Sequence, residues 1–396
     1  MPAAMDDPHS AQPALPPLVI RGRRVLPIVQ GGMGVGVSAH KLAGAVAAMG
    51  AVGTIASVDL RRHHPDLMAT SARGDRATVD AANMTALDRE IRGAKAIAAG
   101  RGMVAVNVMR AVTEYAGYVR QSCESGADAL VVGAGLPLDL PDLVAPWPHV
   151  ALIPILSDSR GIALVVKKWA RKGRLPDAIV IEHPRYAGGH LGAAKVEDLA
   201  DPRFDFERVL PEVLAFFRAE GIDDGAIPLI PAGGINNHER IRELIAMGAS
   251  AVQLGTAFAV TEESDADIAF KHVLAGAGPE DIVEFMSVAG LPARAVRTPW
   301  LENYLKYLPK LQAVAHKRQR CTLKFDCLFQ CGLRDGVAKI GQFCIDQKLA
   351  EGLRGDVGKG LFFRGAAALP FGAEIRSVRE LLGYLLTGER PVPAGA

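Results

Sequence analysis

Residues 227–258 read IPLIPAGGINNHERIRELIAMGASAVQLGTAF. The stretch opens with an apolar run (227–232), turns on Gly233-Gly234, and continues with apolar positions at helical spacing that close on Gly248. A second apolar run (251–255) then ends on Gly255. Neither run alternates with polar residues, so each is expected to be buried on both faces, the mark of a parallel strand. Parallel neighbours need a crossover, and the helical pattern between them supplies it.

Working outward, the same unit recurs. Further apolar runs lie at 25–30, 51–57, 103–108, 129–133, 151–156 and 178–181. Helical patterns fall between most of them, at 39–50, 86–100, 115–126, 162–173 and 206–221, several closing on glycine as a helix C-cap does. Eight βα units over this length predict an α/β fold, a (β/α)8 TIM barrel, with a doubly wound sheet as the alternative. Residues 1–17 are Pro/Ala-rich and aperiodic and read as a disordered tail; 18–260 read as the barrel. Beyond 260 the alternation stops. Residues 261–396 read as an accessory region packed on the barrel, with helical segments around 286–298 and a last one at 377–388.

Composition narrows the function classes. Lys+Arg number 45 and Asp+Glu 43, a formal charge of +2, which gives no electrostatic reason for a nucleic-acid or anionic-membrane partner. Hydrophobic residues at 49% against 22% charged exclude a disordered chain. No run reaches the ~18 apolar residues of a membrane helix, and no signal pattern opens the chain, so it reads as cytosolic. Of five cysteines, Cys321, Cys327, Cys331 and Cys344 cluster. They could supply thiolates for zinc or an iron–sulfur cluster, but CxxC spacing is missing, and packing as small apolar residues is the preferred reading.

Barrel chemistry sits on the loops after the strands. After the first strand, Gly31, Gly32, Met33 and Gly34 leave backbone N–H groups uncovered for a flat ring or an anion; a tight turn before a helix is the plainer reading. Asn107 ends the third strand, either capping the next turn or facing a ligand. Ser157-Asp158-Ser159-Arg160 follows the fifth, where Ser157 or Ser159 would cap a helix. In Tyr186-Ala187-Gly188-Gly189-His190-Leu191-Gly192 the glycines expose an imidazole expected to titrate near neutrality and move a proton either way. His40, His63, His64, His149, His183, His238 and His272 lack such framing and most read as surface residues. Gly233, Gly234, Gln253, Gly255 and Thr256 follow the seventh and eighth strands, the usual barrel phosphate site, and point to the phosphate of a mononucleotide. A GxGxxG fingerprint is absent there, which argues against a dinucleotide fold.

PIVQGGMGVGVS, VNVM, ADALVVGAG, AGGHLG, IPLIPAGGI, MGASAVQLGTAF and SVAGLPARAV together resemble the nitronate monooxygenases, FMN-dependent barrels related to the enoyl-ACP reductases, over residues 18–298. The resemblance implies FMN as cofactor, with Gly31, Gly32 and Met33 against its ring and Asn107 on the polar edge. Gly188 and Gly189 would lie near the flavin, and Gly233, Gly234, Gly255 and Thr256 would hold the phosphate, with Gln253 close by. His190 matches the histidine that abstracts a nitroalkane α-proton or contacts the nitronate. One departure is His183, which stands where many members carry Gln at a cofactor-facing position. The implied reaction is oxidation of a nitronate or nitroalkane by O2 to a carbonyl compound and nitrite. An NAD(P)H-dependent FMN reductase acting on an enoyl thioester or a quinone is the alternative, and a non-enzymatic flavin carrier the third reading. A homodimer formed through the C-terminal segment is a further expectation.

Overall fold

The computed structural model of the chain describes residues 15–72, 74–317, 321 and 327–391. Eight parallel strands close into a barrel: β1 (Ile28–Gln30), β2 (Val52–Ala56), β3 (Met103–Met109), β4 (Ala129–Gly133), β5 (Ala151–Leu156), β6 (Ile179–Glu182), β7 (Leu229–Ala232) and β8 (Val252–Leu254). Each apolar run of the sequence provides one strand. Closure is made where β8 pairs with β1, Val252 opposite Ile28 and Leu254 opposite Gln30.

Side chains divide by alternation within each strand. Val29, Val52, Ala105, Val131, Ile153, Val180 and Ile230 point inward and fill the barrel. Ile55, Val104, Val106, Leu130, Leu152, Ile181 and Leu229 face the surrounding helices. Both sets are buried, which is why the strands read as unbroken apolar runs. An antiparallel hairpin, Leu18–Ile20 with Arg23–Val25, plugs the N-terminal end, and Leu18, Ile20 and Val25 join the inner cluster. Val25, expected in the first barrel strand, therefore belongs to the plug. Leu15 is also in the core, so ordered packing begins inside the stretch expected to be tail; residues 1–14 lie outside the described residues.

The region beyond 260 differs from expectation in one respect. Residues expected to be helical around 286–298 form a β-hairpin, Ile282–Met286 with Pro292–Val296. Gly290, at φ +73°, makes the turn in the left-handed region that glycine enters freely. This hairpin takes Gly189–His190 as a third strand. Helices follow at Pro299–Ala313, Ile345–Leu353 and Val378–Thr387. The last, close to the 377–388 expected, has a Ser377/Glu380 capping box and a left-handed Gly388 at its end. His238 meets its Leu385 carbonyl at 3.0 Å, tying it to the barrel's outer layer. Among the described residues no helix is long and apolar enough to cross a membrane.

Candidate active site at the barrel mouth

The C-terminal strand ends open into a cavity of about 720 Å³, a volume typical of small-molecule sites. Its walls include Gly31 after β1, Asn107 on β3, Gly133 on β4, Ile155 on β5, Glu182 ending β6 and Gln253 on β8. The same alternation that fills the barrel with Ala105, Val131, Val180 and Ala251 turns these residues inward one layer higher.

One wall is glycine backbone. Gly32 packs so closely on Asn107 that a Cβ there would lie 2.3 Å from the Asn107 Cβ. Asn107 donates from Nδ2 to the Val131 carbonyl at 3.2 Å while lining the cavity, so it faces the site and ties β3 to β4. Beside it, Gln253 is buried, and its Oε1 has no hydrogen-bond partner among the described residues. Such an oxygen calls for a donor from a bound molecule. Met33 completes this side.

A second wall carries Gly233 (φ +100°) and Gly234 (φ +76°), backbone geometry that any other L-residue would adopt at a cost. Thr256 starts the short helix Thr256–Ala259. Its Oγ1 accepts the Gly365 N–H at 3.0 Å, so an irregular segment of the accessory region roofs this side. A Cβ at Gly188 would lie 2.5 Å from that same Gly365 nitrogen. Gly189 and Gly255 also line the cavity.

His190 stands on the third side. Its Nε2 is 3.0 Å from Ser287 Oγ, and its ring centroid is 5.7 Å from that of Phe363. Burial pushes its pKa down to about 4, so the imidazole is neutral at physiological pH. This differs from the expectation of an exposed imidazole titrating near neutrality: the glycines bend the loop, but the 282–296 hairpin and Phe363 pack against it and leave it only partly exposed. Arg294, itself 1% exposed, holds that loop by donating to the Pro184 and Ala187 carbonyls at 3.2 and 2.5 Å, and pairs with Glu284.

His183 is not brought to the cavity. Its buried ring lies 3.2 Å from Asp205 through Nε2 and packs edge-on against Tyr186 and Phe206. The residue before it, Glu182, takes the cavity-facing position, and burial alone raises its carboxyl to about 7. The sequence reading missed Glu182. The signal was there, a lone ionisable residue at the end of an apolar strand, the same argument that singled out Asn107.

Asp158, not either serine, caps helix Ser159–Ala170, accepting the Gly161 N–H at 2.7 Å. His40 and His64, both partly exposed, converge on buried Glu90, at 2.7 and 2.9 Å. Of the cysteines, Cys327 lines the cavity, its thiol pushed up to about 12 chiefly by burial. Among the described residues no group of three or more His, Cys, Asp or Glu is placed to hold a metal ion.

Fold and site together define a (β/α)8 barrel protein whose small-molecule cavity lies at the C-terminal strand ends. The sequence profile of the nitronate monooxygenases matches residues 22–388, and the chain belongs to that family. A probable nitronate monooxygenase of Staphylococcus saprophyticus is 28% identical over 130 residues, 33% of this chain and 34% of that protein. The nitronate monooxygenase of Pseudomonas aeruginosa is 33% identical over 122 residues, 30% of this chain and 31% of that protein. The chain thus spans about a third of the length of the curated relatives it matches. Among solved structures, FabK from Thermotoga maritima superposes with a TM-score of 0.63 at 21% identity, covering 91% of each chain. A nitroalkane oxidase from Streptomyces ansochromogenes gives 0.60 at 20% identity, covering 91% of this chain and 94% of that one.

Proposed function

We propose that this protein is an FMN-dependent oxidoreductase that uses O2 to oxidise alkyl nitronates and nitroalkanes to carbonyl compounds and nitrite. The observation that carries the proposal is one cavity joining a glycine backbone wall, an orphaned buried amide oxygen on Gln253 and a neutral histidine on the covered side. Family membership supplies the reaction class.

The residues fit the cofactor. Gln253 Oε1 lacks the donor that the polar edge of a flavin would present. Gly31, Gly32 and Met33 offer a flat wall that side chains would fill, since Cβ atoms at Gly31 and Gly32 would strike Gln253 and Asn107. Gly233, Gly234, Gly255 and Thr256 would hold the phosphate through backbone amides. Bound FMN supplies the capacity to accept electrons from the substrate and pass them to O2.

The chain does the rest. His190 keeps Nε2 on Ser287, leaving Nδ1 as the ring nitrogen open to a nitronate oxygen. Being neutral, it can donate or accept there without bringing a second charge into a poorly solvated site. Leu328 and Phe363 add apolar surface to the cavity wall. His183 plays no direct part.

Anaerobic stopped-flow absorbance of the yellow holoprotein tests this reading. Bleaching by ethyl nitronate without NAD(P)H is the expected result. Bleaching by NADH or NADPH alone would replace it with an FMN reductase, and a colourless protein that binds no FMN would remove the cofactor.

A further inference from the structure

His190 meets an aromatic ring on the cavity wall, and that ring comes from the accessory region. Phe363 lies 5.7 Å from the imidazole, centroid to centroid, tilted by 60°. Both side chains line the cavity. On the histidine's own loop, Gly188, Gly189, Gly192 and Ala193 reach the cavity with little or no side chain, and Leu191 is buried with Leu199 and Phe204. Ser287 takes the Nε2 side at 3.0 Å. Aromatic bulk beside this imidazole is therefore supplied by Phe363.

The strand Pro292–Val296 sets the two rings in register. Ala293 pairs with His190 and Ala295 bridges to Phe363, both antiparallel. Residues two apart on a strand share a face, as do residues directly opposite each other, so His190 and Phe363 rise from one face about 7 Å apart. Backbone hydrogen bonds hold the segment on either side of Phe363. The Val296 N–H donates to the Phe362 carbonyl at 2.9 Å, and the Arg364 N–H to the Arg294 carbonyl at 3.4 Å. The flanking side chains are anchored elsewhere. Phe362 is fully buried with its ring stacked on Phe270 at 5.4 Å, and Arg364 Nε donates to the Leu274 carbonyl at 2.8 Å. A Cβ at Gly189 would lie 3.4 Å from Phe363 Cδ2, so the ring also rests on the loop backbone. Moving Phe363 aside means unpacking these neighbours, which makes it a rigid wall.

We propose that Phe363 sets the size limit at the reacting carbon, admitting nitronates that carry one carbon substituent there and opposing those that carry two. The inference rests on the reading above that nitronates are substrates. A nitronate is planar at that carbon, and its two remaining positions flank the C=N bond. In a primary nitronate one of them holds only hydrogen; in a secondary one both hold carbon. A head group held at His190 presents one flank to the fixed ring, and that flank accepts a hydrogen but not a ring or a branch. The single chain of a primary nitronate has the rest of the cavity, whose wall includes Val58, Val79 and Val112.

A Phe363 that only props the imidazole predicts a different pattern. Truncating a prop loosens His190 and lowers turnover of every nitronate alike. Truncating a size limit changes selectivity, because room opens on the flank that only the bulkier substrate uses. The two roles separate in a ratio of substrates, whatever happens to the absolute rates.

The test compares wild-type, Phe363→Ala, Phe363→Leu and Phe363→Trp holoenzymes on the nitronates of 1-nitrohexane and nitrocyclohexane, which have equal carbon counts and are prepared beforehand in base. One methylene in an apolar pocket is worth about 10- to 200-fold in kcat/KM. F363A should raise the ratio of kcat/KM for the cyclohexyl over the hexyl nitronate by at least about 10-fold, F363L should raise it less, and F363W should lower it. A readout free of turnover is the shift in flavin absorbance on titration with heptanoate and with cyclohexanecarboxylate, planar two-oxygen anions shaped like the nitronate head group. F363A should tighten the cyclic acid relative to the linear one. Should F363A lose its flavin, F363L and F363W decide. Ratios that no variant moves, or equal losses on both substrates, would overturn the size limit and leave the proposed function intact. A wild type that oxidises no nitronate while the acid ratio shifts as expected would overturn the proposed function and keep the size limit. One that oxidises neither nitronate and binds neither acid would overturn both.

Discussion

Two side chains in one cavity are shifted by the same cause in opposite directions of charge. Burial keeps His190 without its positive charge and Glu182 without its negative one, because each charged form loses hydration. For His190 the consequence is a flat pH response: nitronate turnover should show no histidine limb above about pH 5, and a limb near 6.5 that vanishes in His190→Asn would contradict the burial described. For Glu182 the consequence reaches stability. Its folded pKa of about 7 lies above the ordinary 4.5, so its contribution is fully present below pH 4.5 and is lost as pH rises through 7. In the ligand-free protein, E182Q should flatten the fall of Tm between about pH 5 and 7.5. Gly32 makes a steric expectation. Gly32→Ala would drive a Cβ to 2.3 Å from Asn107 and push the amide into the cavity, so FMN content should drop sharply in a protein that still folds, read by flavin absorbance and circular dichroism. At this scale the sequence pointed to Asn107, Gln253 and His190 from their places at strand ends. It misplaced His183 and overlooked Glu182, because adjacent residues at a strand end face opposite ways and only the register decides which one looks inward.

The element that decides the site is the β6 loop, clamped rather than free. Its Gly189–His190 strand pairs with Pro292–Val296, and Arg294 from that hairpin satisfies two of its carbonyls. Truncating Arg294 leaves Pro184 and Ala187 buried without a donor. Arg294→Ala should cost about 2–3 kcal/mol in a denaturant titration, and Lys should rescue little, since a point charge cannot reproduce the guanidinium fork. The helices were legible from spacing and caps. The 282–296 hairpin was not: short apolar runs carry no period long enough to separate strand from helix, and pairing partners distant in sequence settle the matter.

At the scale of the molecule, barrel and accessory region share one cavity. Gly365 donates to Thr256, and Asn236 to the Ala368 carbonyl. We expect a single cooperative thermal transition that rises with added FMN by linkage, and a chain truncated after residue 260 that retains no flavin. Calorimetry with two resolved transitions, one insensitive to FMN, would show instead that the regions fold apart. Hydrophobic patterning is local, and it determined the barrel, its strand count and the glycine turns that line the mouth, because parallel strands buried on both faces leave a continuous apolar record. Which side chains face the cavity, how deeply His190 is covered and that Glu182 stands unpaired were decided only by the tertiary structure. Those properties come from strand register and from segments about ninety or more residues away along the chain, and no local pattern records how a distant segment removes water from a charge.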